Sequence, residues 1–364
     1  MSDTSTRSPE TRNTYIDAVR GITAIHIVVI HTAWFGIPDV PVWFKNLLLI
    51  YEVPLFFYLS GWASSYREPN VIRAGKSILR IWAQWIVFIL VINAVCFLTL
   101  KLPVSFAPVR DLPTLIKCLF FDEQVYPGFY VIACSTWFIP LYFASVLINN
   151  TVLSLIVRTD RPAEYSRTYL IILILTVMWA YFHHEYFSYY PPFIMFYCAI
   201  WMIGYLRKDK GESLKGLIIE LSICIAGLIL CSYLDYRLLG YPYWDIQSAK
   251  TTPSGKFLFV SMLSILICRY LKQFVKRPNK ILVHIGQNAL YYFFGQGVGT
   301  SVVYAFSGYL PVHSPFSGWI MGSVINIGIT AFVAEGVRLI YRGIGLLILN
   351  ITKKLKTTES NKGI

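Results

Sequence analysis

An ionised side chain at the centre of a bilayer costs ~3 kcal/mol on insertion scales, so each one in an apolar stretch needs a reason. The first apolar stretch, 15–36, holds four ionisable residues, Asp17, Arg20, His26 and His31. Asp17 and Arg20 lie three apart on one helical face. Arg20 and His31 are eleven apart, very nearly three turns, so they point the same way about 16 Å apart along the axis. Alone, Arg20 reads either as a cation snorkelling to lipid phosphate or as an anchor for an anionic ligand. Alone, His31 reads as the partner of a neighbouring carbonyl or as a proton acceptor. On one face they suggest an anion anchor at the mouth and a base further in, lining one partly wet cavity.

The second stretch, 44–65, carries Glu52 followed by Val53-Pro54-Leu55-Phe56-Phe57-Tyr58-Leu59-Ser60-Gly61. Pro54 removes a backbone donor and should kink the helix, freeing carbonyls near Glu52. Running antiparallel to the first helix, this stretch could bring Glu52 to the depth of His31 as orienter of the imidazole. The alternative is a carboxyl that stays protonated or pairs elsewhere. His26 lies off the Arg20–His31 face and reads as packing. His183-His184-Glu185 is an interfacial polar collar, since adjacent helical residues face apart and no metal site is expected. Gly295-Gln296-Gly297-Val298-Gly299 follows no strand, so its glycines read as close helix packing and not as a nucleotide loop. Glu335 and Arg338 should pair locally.

These residues need helices to hold them. Of 364 residues, 56% are hydrophobic and 14% charged, against about 25% charged in a soluble domain. A hydrocarbon core of ~30 Å takes about 20 apolar residues per crossing. Ten stretches qualify: 15–36, 44–65, 78–100, 136–157, 168–187, 190–206, 214–234, 255–274, 286–307 and 318–340. Tyr190-Pro191-Pro192 separates the fifth from the sixth. The fold class is therefore an all-α polytopic membrane protein of about ten transmembrane helices. With the N-terminus inside, the inner connections hold 16 lysines and arginines and the outer ones 7, which puts both termini in the cytoplasm. The organisation is a polar N-terminus 1–14, a membrane domain 15–349 and a polar, mobile tail 350–364. No cleavable signal is expected, because Arg20 interrupts the first apolar run.

The net charge of +13 lies in short clusters between apolar runs, which excludes a nucleic-acid binder. Seven cysteines, with no CxxC, read as small hydrophobes; Cys118 and Cys134 are the one pair that could meet outside the membrane.

Tyr15-Ile16-Asp17-Ala18-Val19-Arg20-Gly21, the spacing to His31 and Val53-Pro54-Leu55-Phe56-Phe57-Tyr58-Leu59-Ser60-Gly61 resemble the opening of the acyltransferase family 3 membrane proteins. Trp137-Phe138-Ile139-Pro140-Leu141 and Ile285-Gly286-Gln287-Asn288-Ala289-Leu290-Tyr291 continue the resemblance in order along nearly the whole chain. It implies transfer of an acyl group, usually acetyl, from cytoplasmic acyl-coenzyme A to a hydroxyl of a surface polysaccharide. It implies His31 as the catalytic histidine and Arg20 as the motif arginine that engages the coenzyme's phosphates. Arg73, Lys76 and Arg80 resemble the family's basic segment in altered form. Where many relatives carry a further histidine, this chain has Gln296, which excludes a second catalytic histidine there.

The expectation is thus a bacterial inner-membrane O-acetyltransferase acting on a polysaccharide such as O-antigen, or on its lipid-linked precursor. Acetyl-coenzyme A is the donor, no metal is required, and the glycan and membrane lipid are the partners. His31 acts as base or as transient acyl carrier, with Glu52 beside it. Arg20, Asp17, Arg73, Lys76, Arg80, Ser60 and Trp137 hold substrate. Ser60, Tyr58 and Asn93 are candidate oxyanion donors. The rival is a transporter or flippase of lipid-linked sugars, which explains buried charges and broken spans but not the Arg20–His31 face.

Overall fold

The computed structural model describes residues 12–100, 106–121, 128–183, 190–207, 213–251, 254–310 and 314–362. Among these the chain is helical, with no strand. Helix α1 (Thr14–His31) runs into a π-helical turn (Thr32–Gly36). Then come α2 (Val42–Leu48), α3 (Pro54–Ser64), α4 (Val71–Thr99), α5 (Leu112–Leu119), α6 (Val131–Ser135), α7 (Phe138–Ile156), α8 (Pro162–Phe182) and α9 (Tyr190–Leu206). The order finishes with α10 (Leu214–Leu239), α11 (Ile246–Thr251), α12 (Gly255–Leu271), α13 (Lys280–Gln287), α14 (Ala289–Phe306) and α15 (Pro315–Lys362).

Among the described residues six segments are long and apolar enough to cross a membrane: Thr14–Gly36, Val71–Thr99, Val131–Ile156, Pro162–Phe182, Leu214–Leu239 and Pro315–Lys353. The other four expected stretches are helical too, but shorter or broken. Stretch 44–65 divides into α2 and α3, because Pro54 occupies the first turn of α3, where its missing N–H costs nothing. Pro54 therefore starts a helix and does not kink one. Helices α9 and α12 have 17 residues each. Stretch 286–307 is interrupted at Asn288, which closes α13. The apolar faces of the long helices are bare: Ile171, Ile172, Leu175 and Trp179 of α8 are each more than half exposed. A water-soluble surface would not carry such continuous apolar area, so this is an integral membrane protein. The tail stays helical through Lys362, since lysine, leucine and glutamate propagate a helix already nucleated by the span before it.

The chain divides into two compact units. The first comprises Met1–Ile30, Asp39–Ser77 and Phe138–Ala289. Within it α9 packs on α3, α7 and α8, and α10 packs on α12. The α3–α9 contact is backbone against backbone: a Cβ on Gly61 would meet Trp201 O at 1.9 Å, and one on Gly204 would meet Tyr58 O at 2.1 Å. The second unit comprises His31–Pro38, Ile78–Trp137 and Leu290–Ile364. In it the π-helical turn packs against α15.

Candidate active site

In the first unit the site is built around Asp17, which is 1% exposed. Arg12 grips its carboxylate with two hydrogen bonds, Nε to Oδ2 at 2.5 Å and Nη2 to Oδ1 at 3.0 Å. These hydrogen bonds to Asp17 raise the Arg12 pKa. Arg20 Nη1 lies 3.6 Å from Asp17 Oδ1, and its Nη2 donates to Leu59 O at 3.3 Å. Gln287 Nε2 donates to Asp17 Oδ2 at 3.4 Å. Arg20 is thus held on two sides, by Asp17 and Leu59 O, and its side chain keeps 23% exposure.

Two glycines make this possible. A Cβ on Gly286 would meet Asp17 O at 1.6 Å, and one on Gly21 would meet Leu282 O at 2.1 Å. Helices α1 and α13 therefore cross with their backbones touching, and the crossing brings Gln287 to Asp17. Asn279 starts α13 in register by accepting from Ile281 N at 2.8 Å. Two motifs some 265 positions apart meet here.

Ser60 Oγ lies 3.1 Å from Tyr142 Oη, a residue of α7. Glu52, 3% exposed, is ion-paired with Lys250 of α11; its second oxygen, Oε2, is buried without a hydrogen-bond partner. His26 Nε2 lies 2.9 Å from Leu48 O, in agreement with a packing role. Asn93, in the second unit, spends its carboxamide on Val109, donating to its O at 3.1 Å and accepting from its N at 2.8 Å. Helix α4 carries Arg73, Lys76 and Arg80 at i, i+3 and i+7, and all three are exposed. Arg73 donates to Glu68 O at 3.3 Å.

In the second unit the centre is His31, the last α-helical residue before the π-helical turn. The residues from Arg20 to His31 are all α-helical. His31 Nδ1 lies 2.6 Å from Gln296 Oε1, and the Phe35 ring meets the imidazole edge-on at 5.5 Å. The turn itself is clamped. Asn326 Nδ2 donates to Thr32 Oγ1 at 2.9 Å and to Thr300 Oγ1 at 2.8 Å, while Thr330 Oγ1 donates to Asn326 Oδ1 at 3.1 Å. All four side chains are at most 1% exposed. Gly299 makes room, since a Cβ there would sit 2.1 Å from Asn326 Oδ1. A π-turn held by a buried polar network is a device often found at functional sites. Trp137 is half-buried between α6 and α7. Glu335 accepts from Arg338 Nε at 2.6 Å and from Tyr292 Oη at 3.1 Å, so the expected local pair is present.

Sequence reading missed Arg12, Lys250, Gln287 and the Asn326 network as site residues. Asn326 and Thr330 were findable: they are polar, four apart, inside an apolar span. Lys250 and Arg12 lie in polar segments, where a charge carries no signal. His183 is half-buried at the end of α8, with Nδ1 3.0 Å from Trp179 O; His184 and Glu185 lie outside the described residues. None of the seven cysteines forms a disulfide.

Residues 13–335 match the model of a protein family described as an acyltransferase domain. The chain belongs to acyltransferase family 3. No curated protein and no solved structure matches it. As a membrane acyltransferase it must activate a nucleophile and hold a donor. The matched segment begins one residue before α1 and ends at Glu335, so it takes in the Asp17–Arg20 brace, the α1–α13 crossing and the clamped His31 turn. Acyl transfer, and not transport, is the class of chemistry that the family match favours.

Proposed function

We propose that this protein is an O-acyltransferase of the bacterial inner membrane, moving an acetyl group from acetyl-coenzyme A to a hydroxyl of a surface polysaccharide or its lipid-linked precursor. Ten crossings with both termini in the cytoplasm accord with the distribution of lysine and arginine. Arg20, held by Asp17, supplies a planar, permanently charged donor pair for the coenzyme's phosphates. The exposed row Arg73, Lys76 and Arg80 adds positive potential that draws a polyanionic donor from the cytoplasm. His31 takes the proton of the acceptor hydroxyl as its oxygen attacks the thioester carbonyl. Ser60, paired with Tyr142, offers a hydroxyl for substrate. Trp137 offers a half-buried ring face of the kind that packs on a sugar. Glu52, fixed to Lys250, keeps one carboxylate oxygen for a hydroxyl donor.

The observation that carries the reading is His31, at the end of an uninterrupted helix eleven residues from an arginine braced by a buried aspartate. The test measures acyl ester on surface glycan in cells expressing the parent, His31→Ala or Arg20→Ala, each at matched membrane insertion. Loss of ester in both variants is expected; full esterification with His31→Ala excludes its role.

A further inference from the structure

The reaction proposed above requires a base, and neutral imidazole has two nitrogens of which one alone is basic. The surroundings of Gln296 decide which. This residue sits between Gly295 and Gly297 in α14 and is 0% exposed. A carboxamide buried in an apolar helix carries a desolvation penalty and needs compensation. Among the described residues it makes one hydrogen bond, to His31, and its Nε2 has no partner. Nothing but the imidazole accounts for its place.

The polarity of that bond is set by chemistry. An amide oxygen carries no proton, so at 2.6 Å the hydrogen belongs to the ring, and His31 Nδ1 donates to Gln296 Oε1. We propose that Gln296 is the positioning residue that fixes His31 as the Nδ1–H tautomer and so makes Nε2 the catalytic base. The reaction then balances as follows. The acceptor O–H proton moves to Nε2 as the new C–O bond forms and the thioester carbonyl becomes an oxyanion. The C–S bond then breaks, and the imidazolium returns the Nε2 proton to the departing thiolate. The products are an ester and free coenzyme thiol. Throughout, Nδ1–H stays on the Gln296 oxygen, which steadies the ring without holding it by charge. A neutral partner adds no charge beside the ring, where a carboxylate would favour imidazolium.

The experiment compares Gln296→Met and Gln296→Glu with the parent in purified full-length protein, measuring transfer from acetyl-coenzyme A to acceptor glycan. Methionine matches the length and removes the acceptor oxygen, so the ring can adopt either tautomer. Its kcat should fall about 100-fold, the scale seen when residues that orient a histidine are lost, with KM for the donor changed less than threefold. Glutamate keeps an acceptor for Nδ1–H. It should retain activity within about tenfold, with the lower pH limit of kcat moved upward because the carboxylate stabilises the imidazolium. Gln296→Leu replaces the methionine variant if that one fails to insert. Parental kcat in a folded apolar variant, or a glutamate variant as inactive as the apolar one, overturns the inference alone. A parent unable to use acetyl-coenzyme A overturns the proposed function, and this inference with it.

Discussion

Gly286→Ala tests whether the α1–α13 crossing builds the site. The new Cβ would lie 1.6 Å from Asp17 O, and real Cβ atoms are essentially never closer than 3.0 Å to such a neighbour. The obstructing atom is backbone, so no rotamer change relieves it. The helices must part by about 1.4 Å at this point. Two effects oppose each other. Alanine favours an isolated helix over glycine by roughly 1 kcal/mol. Overpacking a tight contact costs roughly 1–3 kcal/mol. Overpacking wins here, because the overlap is nearly half the permitted distance. Parting the helices also carries Gln287 away from Asp17, whose 3.4 Å hydrogen bond is already near its limit. A misplacement of about 1 Å at a reacting centre can cost ~10²-fold in rate. The expected result is a lower thermal midpoint in detergent, followed by tryptophan fluorescence, together with acyl transfer reduced at least tenfold. Gly328→Ala is the control, since a Cβ there meets nothing within 4 Å; it should leave both readings unchanged. A Gly286→Ala protein as stable and active as this control would refute the argument.

Three further outcomes are expected. Lys256→Met strands Asp235, which is 0% exposed, accepts from Ser254 Oγ at 3.0 Å and from Tyr181, and lies 3.4 Å from Lys256 Nζ. The loss should be about 3–5 kcal/mol by denaturation, and Asp235→Asn in the same chain should recover much of it; no recovery would mean the charge is not what costs. Asn326→Leu leaves the Thr32 and Thr300 hydroxyls buried without their donor, costing roughly 1–3 kcal/mol. Acyl transfer should fall with it, and normal activity would separate the clamp from the His31 turn. Asp111 caps α5 by accepting from Thr114 N at 2.9 Å, and hydrogen bonds from Thr114 hold its carboxyl below the usual carboxylate range. The depressed value means that this contribution is complete above the ordinary aspartate pKa and is lost as pH falls through the lower folded one. Exchange of the Thr114 amide should therefore speed up only in acid below the ordinary aspartate range; acceleration at neutral pH would refute the cap.

The amino-acid sequence by itself determined the helical class, the membrane setting and the helix that carries Arg20 and His31. Those are properties of local composition and period: apolar length makes spans, and eleven residues of unbroken α-helix return a side chain to the same face. The Arg20–Asp17 and Glu335–Arg338 pairs were legible for the same reason, each lying three apart on one helix. Only the tertiary structure decided who holds the site residues. Glu52 is paired with Lys250, some 200 positions away, and the imidazole of His31 with Gln296, some 265 away. Helical period carries no information about partners on other helices. Such partners depend on where backbones can touch, and that was set by single missing Cβ atoms at Gly21, Gly286 and Gly299.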